Sequence, residues 1–197
     1  MKVRLIHGIH AKEGKHNMAR LLPFMQKAMP GAKVELWEYG FLGFWQARWR
    51  NERLASQLDL DCRQNREREP EIWITHSNGA AIAYLATKNH GTPVDMIINI
   101  NPALDRHLSA EVRRVETIHS EQDRWVDLSQ WLPFHIWGDQ GRVGYTGKQT
   151  NTLNHDASKV GGVMEYRGHC DLFSSLRIQH WAYFFANRID ETGLDCT

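Results

Sequence analysis

A chain of 197 residues, 42% hydrophobic and with a formal net charge of +1, has the length of one domain with one substantial core and a globular composition. No apolar run approaches the roughly 20 residues of a membrane helix. The near-neutral balance offers no overall field for nucleic acid or acidic lipid. The start, Met1 to Ile6, carries charge inside its apolar stretch with no long apolar run after it, which argues against a secretory signal. Cys62, Cys170 and Cys196 are scattered and odd in number, so they form neither a metal-type pair nor a disulfide framework. The expectation is a single domain over residues 1–197 in a reducing cytoplasm.

In chain order, residues 3–6 read as a short strand that runs into His7-Gly8. Met18, Leu21, Leu22, Met25 and Met29 recur at helical spacing. Pro23 lies inside that pattern, so the helix is kinked there or begins there, and Pro30-Gly31 ends it. Residues 34–37 read as a second strand, 46–65 as a highly charged helix and 72–74 as a third strand. Residues 78–87 are nearly all apolar, as in a helix buried on most sides. Residues 96–100 form a fourth strand whose unbroken apolar character fits a parallel sheet covered on both faces. A fifth strand is expected over 112–119 and a sixth over 163–166. Phe173, Leu176, Trp181, Phe184 and Phe185 belong to a closing helix. The alternation predicts an α/β fold: a doubly wound, mostly parallel sheet of about six strands with helices on both faces. Residues 125–162, rich in Trp, Gly, Asn and Asp, read as an irregular insertion or a short helix with loops.

The third strand runs directly into Thr75-His76-Ser77-Asn78-Gly79 and then into a helix. A nucleophile elbow needs this strand-turn-helix context, because a sharp turn lifts the serine hydroxyl above the sheet. The helix that follows aims free amides and a partial positive charge at a developing oxyanion. Gly79 meets the demand for a small residue after the serine; Thr75 stands where Gly is usual before it. The plain alternative is that Ser77 caps the helix. His7-Gly8-Ile9-His10 follows the first strand, and a His-Gly pair there opens an oxyanion loop. Acids and a histidine follow in the order Ser, acid, His: Glu121 and Asp123 in the loop after the fifth strand, and His169 in Tyr166-Arg167-Gly168-His169. Asp127, Asp156 and Asp171 are further candidate acids.

On these motifs the chain resembles the α/β-hydrolase superfamily over nearly its full length, specifically small lipase- and esterase-like members with a His-Ser-x-Gly elbow and no large cap. The resemblance implies Ser77 as nucleophile, His169 as general base and Asp123, ranked ahead of Glu121, as the orienting acid. It implies oxyanion amides from Ile9 and Asn78. His7, Gly8, His76 and Trp125 are candidate substrate contacts, and Trp45, Trp49, Trp131 and Trp137 are further aromatics expected near the carboxyl ends of strands. The implied activity is hydrolysis of a small-molecule ester through an acyl-enzyme, without a cofactor. Acyl transfer, thioester cleavage and a non-catalytic binding protein are the alternatives. Asp171, two residues from His169, is better placed to cap the closing helix. His7, His10 and His16 match no common zinc spacing. The arginines between Arg48 and Arg68 interleave with acids as on a solvated helix face, so neither metal nor nucleic acid is expected.

Overall fold

The computed structural model describes residues 1–9, 14–64, 69–123, 138–160 and 168–194. Its sheet contains β1 (Lys2–Ile6), β2 (Lys33–Trp37), β3 (Glu71–His76), β4 (Met96–Ile100), β5 (Arg114–His119) and β6 (Thr152–Asp156). All pairings are parallel, in the order β2-β1-β3-β4-β5-β6. The helices are α1 (Asn17–Ala28), α2 (Phe44–Gln64), α3 (Asn78–His90), the short α4 (Gln140–Val143) and α5 (Ala157–Val160), and the closing α6 (Ile178–Asp190).

The two-residue period of the strands sorts the core into two layers. Val3, Leu5, Ile72, Ile74, Ile98 and Ile118 face one side, where Met18, Leu21 and Met25 of α1 and Trp181, Phe185 and Ile189 of α6 cover them. Ile6, Trp73, Ile97 and Val115 face the other, under Leu54, Ala55 and Leu58 of α2 and Ile82, Ala83 and Ala86 of α3. Both faces of the sheet are therefore covered, as its apolar strands demand. The charge within β1 is also buried: Arg4 bonds Glu71 and Asp61.

Beyond shifts of a residue or a few at element ends, three differences from the sequence reading stand out. Helix α1 starts at Asn17, where the His16 ring accepts from the Ala19 amide, and it runs through Pro23, which lies on its exposed side. Strand β6 falls inside the segment expected to be irregular, whereas the strand expected over 163–166 lies outside the described residues. Phe173 belongs to a 3-10 turn, Asp171–Phe173, and Leu176 is exposed ahead of α6. Among the described residues no helix is long and apolar enough to cross a membrane, and no group of His, Cys, Asp and Glu could hold a metal ion.

One buried charge sets an acid limit on this core. Glu116 of β5 is wholly buried; Arg188 of α6 donates to both its oxygens at 2.9 and 3.0 Å, and Arg114 and His155 lie at 2.6 and 2.9 Å. Burial by itself raises the carboxyl pKa, but His155 and Arg188 outweigh it and hold it near 2. The folded value lies below the unfolded one, so this stabilisation is complete above about pH 4.5 and is lost as pH falls toward 2. The shift corresponds to roughly 3 kcal/mol. Urea unfolding between pH 5 and 2 should show that loss. Glu116→Gln should be less stable at pH 7, where Arg188 and Arg114 lose their buried partner and, among the described residues, keep only Glu191 near them, and should show a shallower acid slope; an unchanged slope would remove Glu116 from the account.

Candidate active site

In an open parallel sheet, ligands bind beyond the carboxyl ends of the strands where the strand order reverses. In this sheet that point lies between β1 and β3, whose successors run to opposite sides. Register brings the two loops together. Ile6 lies opposite Thr75, so two further residues on each strand place Gly8 beside Ser77. A Cβ on Gly8 would stand 3.0 Å from Ser77 Cβ, and one on Gly79 would stand 2.7 Å from the carbonyl oxygens of both Ile6 and His7. Glycine at both positions lets the end of β1, the turn at Ser77 and the start of α3 touch.

Ser77 has φ 55° and ψ −120°. A non-glycine residue rarely adopts this conformation, which costs of order 1–3 kcal/mol. Its backbone is held on three sides: its amide donates to Ile100 O at 3.0 Å, and its carbonyl accepts from the Ala80 and Ala103 amides at 3.1 Å. Although Ser77 stands at the N-cap position of α3, its side chain makes no capping bond. The plain capping alternative is thereby removed. Thr75, the unusual residue at the turn, is wholly buried and donates from Oγ1 to Asn99 Oδ1 on β4 at 2.7 Å. It replaces the small residue with a bond to the neighbouring strand.

Asp123 and His169 meet at the same edge. Beyond β5 the chain turns at Ser120, where the Asp123 amide donates to Ser120 O at 2.9 Å. Asp123 is wholly buried, and its Oδ2 lies 2.7 Å from His169 Nδ1. The ring in that tautomer donates from Nδ1 and leaves Nε2 as the basic nitrogen. Two side chains not foreseen as a pair hold the His169 backbone carbonyl: Asn101 Nδ2 donates at 2.7 Å and His76 Nε2 at 3.3 Å. The His76 ring lies 4.8 Å from that of His169 and meets Phe173 edge-on at 4.9 Å. Burial, followed by the nearby His169, keeps His76 well below the ordinary histidine range and therefore neutral. Asn101, directly after β4, has φ 44° and is wholly buried.

Ser77 Oγ makes no hydrogen bond among the described residues, so it is not bonded to the His169 ring in this structure. Asn78 is wholly buried, and its side-chain amide exchanges two bonds with Asn51 of α2, at 2.9 and 3.0 Å. His7 is not aimed at open space: its ring stacks on Tyr39 at 3.9 Å and 21°, and its Nδ1 donates to Gly8 O at 2.7 Å. Burial pushes its pKa down to about 4.

The competing acids are placed elsewhere. Glu121 is exposed. Asp171 pairs with Arg177 and opens the 3-10 turn, while α6 begins seven residues later at Ile178, so Asp171 does not cap that helix. Asp156 accepts from Ser158 at the start of α5. Asp127, Trp125, Trp131 and Trp137 lie outside the described residues. Trp45 and Trp49 of α2 are 55% and 78% exposed, on the surface rather than in the core.

No family model matches this chain, and no curated relative matches it. Solved structures do. Alpha/beta hydrolase domain-containing protein 10 from mouse superposes with a TM-score of 0.62 at 12% identity, over 97% of this chain and 90% of that one. Est1E from Butyrivibrio proteoclasticus, solved with ferulic acid bound, gives 0.56 at 13% identity over 96% and 88%. Carboxyl esterase 2 from the mycorrhizal fungus Tuber melanosporum gives 0.54 at 10% identity over 94% and 78%. At these identities the likeness is one of architecture: the chain has the α/β-hydrolase fold, in a small form whose described residues build a six-stranded parallel sheet.

Proposed function

We propose that this chain is a serine hydrolase that cleaves the carboxylic ester of a small molecule through Ser77, His169 and Asp123. The observation that carries the reading is the 2.7 Å bond from His169 to a wholly buried Asp123, at the edge of the sheet where Ser77 is held in a strained turn. Strain kept by three backbone bonds, with no capping role for the hydroxyl, is what a presented nucleophile requires.

In this reading Ser77 Oγ attacks the ester carbon while His169 Nε2 takes its proton. Asp123 stabilises the imidazolium. The amides of Ile9 and Asn78 receive the oxyanion, and each such donor is worth about 3–4 kcal/mol. The imidazolium returns the proton to the leaving alcohol, and water, activated by the same ring, releases the acid and restores Ser77. The choice of an ester is supported by two of the similar folds, one named a carboxyl esterase and one holding ferulic acid.

A fluorophosphonate probe tests the reading directly. It should attach once per chain, and peptide mass mapping should place it on Ser77. Attachment at another serine, or none at a concentration that saturates an ordinary esterase, would sink the proposal.

A further inference from the structure

Tyr39 follows β2 and belongs to no motif. Its hydroxyl nevertheless lies 2.8 Å from His7 O and 2.9 Å from Gly8 O, two successive carbonyls of the loop beside Ser77. Its ring stacks on that of His7, and its backbone amide faces His7 Nε2 at 3.5 Å. Gly8 O also receives the Nδ1 proton of His7 at 2.7 Å. Burial, more than any other influence, raises the Tyr39 hydroxyl above the usual phenol range, so it keeps its proton and can donate.

This arrangement decides where one amide points. No peptide bond among the described residues is cis. In a planar trans unit the carbonyl and the next amide point in opposite directions. A Gly8 carbonyl tied to Tyr39 and His7 therefore turns the Ile9 N–H away from them. The His7 carbonyl shares the single Tyr39 O–H with the Gly8 carbonyl, and a Cβ on Gly79 at the start of α3 would stand 2.7 Å from it. The loop is thus held at two consecutive peptide units beside the elbow. Oxyanion stabilisation depends on donors that are already oriented before charge develops, because turning them during the reaction spends the gain.

We infer that Tyr39 is a positioning residue for the oxyanion site, holding the His7 and Gly8 carbonyls so that the Ile9 amide faces the reacting carbonyl. The inference rests on the hydrolase reading above. It extends the site to a residue that touches neither the nucleophile nor the base.

Tyr39→Phe keeps the ring stacked on His7 and removes only the hydroxyl. Steady-state kinetics would be measured on the intact wild type and on Y39F with an aryl acetate and with its thiono analogue, whose sulfur is a poor acceptor for oxyanion donors. The expected result is a tenfold to hundredfold lower kcat on the oxygen ester, KM within about twofold, and a much smaller loss on the thionoester, so that the ratio of the two rates falls. A merely structural contribution would lower both rates together, in step with a lower unfolding midpoint; that result, or an unchanged kcat, overturns the inference. Fluorophosphonate labelling of Ser77 in the same samples separates the two levels. With Ser77 labelled and the rate ratio unchanged, only the role of Tyr39 fails. With no label on Ser77 in the wild type, the hydrolase reading fails and this inference with it.

Discussion

Ser77→Ala should lower kcat on an ester by about 10⁶-fold, the loss a serine protease shows when its nucleophile is removed. The same change should leave the fold intact. The Ser77 hydroxyl forms no bond to α3, so alanine removes no helix cap. Both residues carry a Cβ, so the strained turn at φ 55° is neither relieved nor worsened. The bonds that hold the turn are backbone bonds to Ile100, Ala80 and Ala103, and alanine keeps them. The checks are the burst and steady-state rates on a chromogenic ester together with the thermal midpoint. A variant that retains turnover within tenfold of wild type would show that another group attacks the ester. A variant that is inactive and also unfolded would show that the hydroxyl has a structural part that the hydrogen-bond pattern does not contain.

The second large effect is expected at Asp123. Asp123→Asn keeps the shape of the side chain, but its amide can present an N–H to His169 Nδ1. The ring then carries its own proton on Nε2, where it cannot accept one from Ser77. A comparable change in a serine protease lowers kcat about 10⁴-fold with the geometry intact, and that is the scale expected here. Glu121→Gln and Asp171→Asn are the controls. Glu121 is exposed, and Asp171 is engaged with Arg177, so both should stay within a few-fold of wild-type turnover, with some stability lost in Asp171→Asn. Single-turnover rates for the three variants decide the matter. Near-normal turnover in Asp123→Asn, with a collapse in either control, would move the role of the acid to another residue.

Much of the architecture was legible because it rests on local pattern. β1, β3, β4 and β5 are largely buried on both faces; β4 writes itself as a nearly unbroken hydrophobic segment, and the others carry short apolar stretches interrupted by a few polar or charged residues. Strand β6 was not legible for the converse reason. Thr152-Leu153-Asn154-His155-Asp156 is an edge strand, none of it fully buried, so neither alternation nor a continuous apolar run marks it. Thr75 could be seen to depart from the usual elbow, but its compensating bond to Asn99 crosses to another strand. Tyr39 and Asn101 had no motif at all, since what they hold lies 32 and 68 residues away in the chain.

By itself the sequence determined the α/β alternation, the turn at Thr75 to Gly79 and the short list of acids and histidines, because periodicity and turn chemistry act over a few neighbouring residues. Tertiary structure alone decided which acid faces His169, why Gly79 has no room for a side chain and Gly8 very little, and that Tyr39 holds the loop after β1. Those facts depend on parallel strands in register, which deliver the carboxyl ends of β1, β3, β4 and β5 to one edge. The hydrogen bonds formed there join segments whose separation along the chain carries no local signal.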